Sequence, residues 1–149
     1  MSSTEHRAGF VAIVGRPNTG KSTLVNALVG RKIVITSHHP NTTRNPIRGI
    51  ITRPEFQMIV VDTPGLHKPK TLLGTRLNAM VSENLESVDA ALLCLPADEA
   101  IGAGDEYIAR ELKNKRQVFI AVTKTDRVKP EELMAHLHAV NEFAQKLEL

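Results

Sequence analysis

The chain switches repeatedly between two hydrophobic patterns. Short continuous apolar runs occur at Phe10–Val14, which is rich in β-branched residues, and at Ala90–Leu95 and Val118–Val122. Runs of that length read as strands buried on both faces, as in a parallel sheet. Ile47–Thr52 and Phe56–Val61 read as two further strands. The intervening Arg53-Pro54-Glu55 is short enough for a hairpin, so this pair is expected to be antiparallel. Helical spacing fills the gaps. Thr23–Val29 follows the first run and is stopped by Gly30. Leu73, Leu77, Met80 and Val81, Leu85 and Val88 predict an amphipathic helix near Thr75–Ser87. Ile108 and Leu112 mark the inner side of a helix at about Gly104–Lys115, with a basic end at Lys113, Lys115 and Arg116. Pro130 opens the last helix, where its missing N–H costs nothing. The inward stripe there is Leu133, Leu137, Val140, Ala144 and Leu147.

The elements run β-α-β-β-α-β-α-β-α. Strands alternating with helices imply a three-layer α/β/α sandwich around a mostly parallel sheet with one antiparallel strand. Two polar stretches interrupt the order. Thr36–Pro46 has two prolines and two asparagines and reads as a loop, after a strand-like Ile33-Val34-Ile35. Such a long loop is often functional. Leu66–Gly74 reads as a second loop.

Composition narrows the class. At 149 residues the chain is one domain by size and large enough to bury a core. No apolar run approaches the roughly 20 residues of a membrane span. Residues 1–8 read as a flexible tail without a signal-peptide core, leaving 9–149 as the domain. The single Cys94 excludes an internal disulfide and fits a reducing compartment, so a cytoplasmic location is expected. A net charge of +3 is spread along the chain, and with 3% aromatics no stacking platform for single-stranded nucleic acid is visible. A DNA partner is not expected. His38 and His39 are adjacent and point to opposite sides of an extended segment, which disfavours a metal pair. His136 and His138 likewise share no helical face. His67 reads as a solvated loop residue.

The candidate chemistry lies where strands end. Gly15-Arg16-Pro17-Asn18-Thr19-Gly20-Lys21-Ser22, followed by Thr23, fits G-x-x-x-x-G-K-[ST] between a strand and a helix. Backbone N–H groups at the helix start, together with its dipole, favour phosphate. Gly15 and Gly20 let the backbone approach closely. Lys21 adds a point charge for β- and γ-phosphates, and Ser22 offers a hydroxyl to Mg²⁺. Asp62-Thr63-Pro64-Gly65 follows another strand; the carboxylate can hold the Mg²⁺ shell and the Gly65 N–H can meet a γ-phosphate. A threonine of the Thr36–Pro46 loop can complete that shell. Thr123-Lys124-Thr125-Asp126 follows a third strand. In sheets of this kind ligands bind beyond the carboxyl ends of strands, so the three motifs converge on one edge.

Together these motifs resemble the ordered set of the translation-factor-like GTPases. Gly-Arg-Pro-Asn-x-Gly-Lys-Ser-Thr-Leu at Gly15–Leu24, Thr-Ser-x-x-Pro-x-Thr-Thr-Arg at Thr36–Arg44 and Asp-Thr-Pro-Gly-Leu-His at Asp62–His67 narrow the resemblance to Era-type bacterial GTPases. That resemblance implies a P-loop GTPase fold and a switch that binds and hydrolyses GTP with Mg²⁺. It implies that Asp126 accepts from guanine N1–H and the 2-amino group while the Lys124 stem lies along the base. It makes Thr43, or less favourably Thr42, the switch threonine reaching Mg²⁺, followed by Arg44. Asn18 matches a position where relatives hold K⁺, which compensates developing charge as an arginine finger does. Leu66 stands where many GTPases carry a water-orienting glutamine, so slow intrinsic hydrolysis is implied.

The sequence departs from the family pattern in three ways. Thr123 replaces the usual Asn, keeping a hydroxyl without the amide. Asn41 replaces the usual Gln. The residues end before a Ser-Ala guanine-contacting loop, before the expected last strand and helix, and before the KH domain through which the family binds small-subunit ribosomal RNA. The resemblance therefore reads as a truncated GTPase domain. An open edge at Val118–Val122 and weaker nucleotide binding than in a longer chain are expected. The implied partners are guanine nucleotide, the small ribosomal subunit and its RNA, and the inner face of the cell membrane, peripherally. Two other readings stay open: an ATP-using P-loop enzyme, since the phosphate loop does not choose the base, and a module that retains nucleotide weakly or not at all.

Overall fold

The computed structural model describes residues 5–30, 47–62, 85–115 and 117–149. Strand β1 (Arg7–Val14) leads into α1 (Lys21–Val29), and β2 (Ile47–Thr52) and β3 (Phe56–Asp62) follow. Then come β4 (Ala90–Pro96), α2 (Ala103–Glu111), β5 (Val118–Thr123), a 3₁₀ turn (Thr125–Arg127) and α3 (Pro130–Leu147). The sheet order is β2-β3-β1-β4-β5. β1 lies parallel to both β3 and β4, and β4 lies parallel to β5. Only the β2–β3 hairpin is antiparallel, closed by reciprocal backbone bonds between Arg53 and Phe56. The phosphate-loop strand is thus central, with β3, which ends at Asp62, directly beside it and β5, which leads into Thr123–Asp126, one strand further away beyond β4.

Period-two alternation divides the core. Ala12, Val14, Leu93 and Leu95 face Ile108, Ala109 and Leu112 near α2 and Val140 and Leu147 of α3. Ile13, Val60 and Cys94 face the other way, onto Val25 and its α1 neighbours Leu24 and Val29. A Cβ on Gly49 of β2 would collide with the Val29 side chain, so glycine there sets how closely α1 approaches the sheet. Each fully buried Leu or Ile stabilises the fold by about 1.5–3 kcal/mol.

Three expectations change. β1 takes in Arg7 and Ala8 from the expected tail, because pairing with β3 needs backbone groups rather than apolar side chains: Arg7 N donates to Glu55 O at 3.1 Å. α2 ends at Glu111 instead of reaching Lys115. There the chain tightens, Lys115 N donating to Leu112 O, and Lys115 Nζ donates to Val88 O at 2.7 Å. Burial there lowers the Lys115 pKa. On α3, Leu137 is exposed along with Met134, while Val140 and Leu147 are buried and Phe143 packs on the core. The buried stripe is rotated by part of a turn from the one expected. β5 pairs with β4 alone among the described residues, and its Phe119 is 57% exposed. Of the helix expected near Thr75–Ser87, only Leu85 and Glu86 fall as helix among the described residues. The strand-like Ile33–Ile35, the loop Thr36–Pro46 and the Leu66–Gly74 loop lie outside them.

Cys94 is buried on β4, and burial pushes its thiol up to about 11. The neutral thiol should resist alkylation. Iodoacetamide labelling near pH 8 is expected to rise with the unfolding transition in urea and to be negligible before it. The raised pKa also makes folding stability fall as pH rises from the unfolded thiol's range, about 8.5, toward 11.

Candidate functional site

The loop from Gly15 to Gly20 is shaped by backbone that few residues tolerate. Gly20 has φ 89° and Asn18 has φ 62°, both left-handed. Gly15, at φ 154°, lies so close to β4 that a Cβ would come within 3.1 Å of the Cys94 carbonyl. Thr19 is buried, and its hydroxyl donates to the Arg16 carbonyl at 2.9 Å. Lys21 folds back over the loop, its Nζ donating to the Gly15 and Arg16 carbonyls at 2.8 and 2.7 Å. α1 begins at this lysine with no side-chain cap and no acidic residue in its first turn. No carboxylate from its own first turn therefore competes for its leading N–H groups, which suits an anion site.

A cavity of about 410 Å³ opens here, lined by Asn18 through Thr23 on one side and by Lys124 and Arg127 on the other. That juxtaposition joins the first and last sequence motifs, more than 100 residues apart. Lys124 takes a left-handed conformation at the end of β5, and Asp126 follows, exposed on the 3₁₀ turn. The Thr123 hydroxyl donates to the Thr19 carbonyl, binding the two loops directly. The expected weakness of Thr123 is thus partly made good: its hydroxyl supplies the backbone link, although it has no amide to offer a base. Thr123→Val keeps the shape and removes that donor. It is expected to weaken GDP binding about fivefold, checked by calorimetric titration, because a lost neutral hydrogen bond costs about 1 kcal/mol.

A larger groove of about 1050 Å³ runs between α2 and α3. Asp98, Glu99, Glu106, Glu132 and Glu142 outnumber Arg127 and Lys146 in its lining, and that acidic excess is wrong for a polyphosphate. The smaller cavity, with Lys21, Lys124 and Arg127 in its lining, has the charge that a polyphosphate needs.

Contacts of four basic side chains were not expected from the sequence. Arg48 of β2 donates from Nη1 to Ser22 Oγ at 2.7 Å. It sits where the β2–β3 register shifts, between Ile47 and Gly49, and an arginine inside an apolar strand is the signal that marks it. Arg16 is not aimed into the cavity. Its Nε donates to Asp105 Oδ1 at 2.8 Å and its Nη2 to Glu99 Oε2 at 3.0 Å. The hydrogen bond to Asp105, more than the contact with Glu99, raises the Arg16 pKa against the opposing effect of burial. Arg16 therefore serves the loop through its backbone carbonyl. Lys124 Nζ lies 3.9 Å from both Asp98 and Glu99, and Arg127 Nη1 lies 3.4 Å from Asp98.

Asp62 ends β3, opposite Ile13 of the central strand, which brings its backbone to the edge where the phosphate loop begins. Thr63, Pro64, Gly65, Leu66, Asn41, Thr42, Thr43 and Arg44 lie outside the described residues.

Comparison with known proteins fits this geometry. Residues 10–124 match the family described as 50S ribosome-binding GTPase. The chain is 55% identical over 144 residues to GTPase Era of Mycobacterium tuberculosis (strain ATCC 25618 / H37Rv), which is 94% of this chain and 48% of that protein. It spans about half the length of the curated relatives it matches. An Aquifex aeolicus Era variant bound to GDP.AlF4- superposes with a TM-score of 0.72 at 33% identity, covering 93% of this chain and 48% of that one. Era in complex with MgGDPNP and nucleotides 1506–1542 of 16S ribosomal RNA gives 0.72 at 35% identity, covering 95% and 48%.

Proposed function

Since the chain belongs to the family of 50S ribosome-binding GTPases, we propose that it binds guanine nucleotide and hydrolyses GTP as an Era-type switch. The observation that carries this reading is the cavity in which Lys21, the uncapped start of α1 and Lys124 meet. The left-handed Gly20, the inward Lys21 and the absence of a competing acid in the first turn of α1 fit a di- or triphosphate.

Chemically, water attacks the γ-phosphorus while the bond from it to the β–γ bridging oxygen breaks, giving GDP and inorganic phosphate. The Lys21 ammonium and the α1 N–H groups neutralise charge gathering on the phosphate oxygens, where most of the acceleration in phosphoryl transfer arises. Ser22, Asp62 and Thr43 would hold Mg²⁺, whose bound charge supplies further neutralisation. Asn18 would hold K⁺ for the same purpose, and its left-handed backbone places it at the cavity. The Gly65 N–H would meet the γ-phosphate. Asp126, beyond the Lys124 wall, accepts from the N1–H and 2-amino groups that guanine has and adenine lacks.

In the longer protein, the switch would gate docking on the assembling small ribosomal subunit, with ribosomal RNA held by a KH domain beyond these residues. The family description names the large subunit. The Era complex with 16S ribosomal RNA, at 35% identity, supports the small one. A cytoplasmic location with peripheral contact at the inner membrane face completes the proposal. Among the described residues no helix is long and apolar enough to cross a membrane.

Calorimetric titration with GDP and with ADP in Mg²⁺ buffer tests the reading. Binding of GDP without ADP is expected. Binding of neither would leave a module without nucleotide, and equal binding of both would point to an enzyme that does not select guanine; either overturns the proposal.

A further inference from the structure

The phosphate loop is fastened from behind by acidic groups that no sequence motif marks. Asp105 is fully buried in the first turn of α2. One of its oxygens accepts from Arg16 Nε at 2.8 Å and the other from the Gly102 N–H at 2.9 Å. The same carboxylate thus caps α2 and holds a residue of the phosphate loop 89 positions away. Gly104 leaves room for the arginine stem: a Cβ there would lie 2.8 Å from Arg16 Cδ. At its other end Arg16 belongs to the loop's own network, since its carbonyl accepts from both Lys21 Nζ and Thr19 Oγ1. Glu99 extends the chain of charges. One of its oxygens meets Arg16 Nη2 at 3.0 Å, while the other lies 3.9 Å from Lys124 Nζ. Asp98 continues it from Lys124 to Arg127.

Carboxylates this close to a polyphosphate site repel the ligand, and a buried one costs desolvation free energy. Their placement makes sense if they act on the loop rather than on the ligand. We propose that Asp105, assisted by Glu99, is a positioning residue for nucleotide binding. It acts through Arg16 to fix the carbonyls that orient Lys21, and Glu99 couples this phosphate half of the site to the Lys124 half that faces the base. The inference rests on the guanine-nucleotide reading above. The two acids differ in weight. Asp105 makes a buried, charge-assisted bond, whereas Glu99 is 44% exposed and its contact is screened by salt.

The test is calorimetric GDP titration of the native chain and of Asp105→Asn, Arg16→Met and the double variant, with thermal midpoints measured alongside. Asparagine retains an acceptor for the Gly102 N–H, so the α2 cap survives while the charge is lost. Methionine keeps a stem over Gly104 and removes the guanidinium. Asp105→Asn and Arg16→Met are each expected to weaken GDP binding about tenfold, and the double variant no more than Arg16→Met alone, because the two side chains act as one unit. Glu99→Gln, at an exposed position where folding is not at stake, is expected to weaken binding about threefold at low salt, and less as salt is raised. GDP affinity within twofold of native in Asp105→Asn would overturn the inference. So would additive losses in the double variant, which would assign Asp105 a structural role independent of Arg16. If Asp105→Asn does not fold, an unchanged affinity in Glu99→Gln and Arg16→Met overturns it equally. Native binding with unchanged variants removes this inference alone; failure of the native chain to bind GDP removes the nucleotide reading as well.

Discussion

Lys21→Met is expected to weaken GDP binding by at least about a hundredfold while the fold remains intact. The ammonium has two jobs in this structure. Nζ donates to the Gly15 and Arg16 carbonyls, which holds the loop open around the cavity. It also places a full positive charge in the wall of the cavity proposed for the phosphates. Methionine has a similar stem and rotamers but neither donors nor charge. Hydrogen bonds to charged groups contribute about 1.5–3 kcal/mol each, and at least one bond to phosphate disappears along with the loop's internal clamp. About 3 kcal/mol corresponds to a factor of roughly 150 in affinity. The two carbonyls released belong to residues that are only partly buried, where water can replace the lost donor, so the thermal midpoint should move by only a few degrees. Titration with GDP, together with a thermal scan, checks both parts. A loss smaller than tenfold would mean that the α1 N–H groups carry phosphate binding and that the lysine is mainly structural.

This expectation was readable from the sequence, because everything it uses sits within eight consecutive residues and the two elements flanking them. The same locality explains the success of the hairpin between β2 and β3, whose turn is Arg53-Pro54-Glu55. The parallel pairs were implied by helical crossovers, but the strand order, with β1 in the middle, has no local signal and comes from the structure alone. Long-range side-chain chemistry was not legible. Asp105 in a first helical turn reads as an ordinary cap, and nothing in its neighbours announces that Arg16 is its partner. Arg48 reads as an outward strand position until the register shift places it on Ser22. Leu137 failed for a subtler reason. A stripe of leucines fixes a helix's apolar side only to within part of a turn, and packing on Val140, Phe143 and Leu147 decided the rotation of α3. Thr123 makes a contact of the same long-range kind: its hydroxyl reaches the Thr19 carbonyl and joins the two loops, which the sequence did not announce.

Asp126 is the residue proposed to read the base, and Asp126→Asn is expected to change which base the chain accepts. Asp126 is solvent-exposed on the 3₁₀ turn, immediately after the left-handed Lys124 and next to Arg127, both of which line the cavity. Its role therefore depends on the ligand rather than on protein packing, and substitution should leave stability within about 0.5 kcal/mol of native, as at other exposed positions. The affinity effect is large for a geometric reason. Guanine presents two parallel donors, N1–H and the 2-amino group, and an ionised carboxylate accepts both. Asparagine offers one acceptor and one donor. One guanine donor then faces an N–H, which both deletes a charge-assisted bond and adds an unsatisfied contact. The combined loss of about 3–4 kcal/mol corresponds to roughly a hundred- to a thousandfold in GDP affinity. Xanthine carries a carbonyl oxygen where guanine carries the 2-amino group, so its donor–acceptor edge matches the asparagine amide. XDP should bind Asp126→Asn more tightly than it binds the native chain, while ADP should bind neither. Calorimetric titration of both proteins with GDP, XDP and ADP measures the exchange directly. If GDP affinity falls but XDP affinity does not rise, Asp126 acts by holding the Lys124 turn rather than by reading the base. If GDP affinity is unchanged, base selection lies elsewhere in the site, and Thr123-Lys124 would be the segment to probe next.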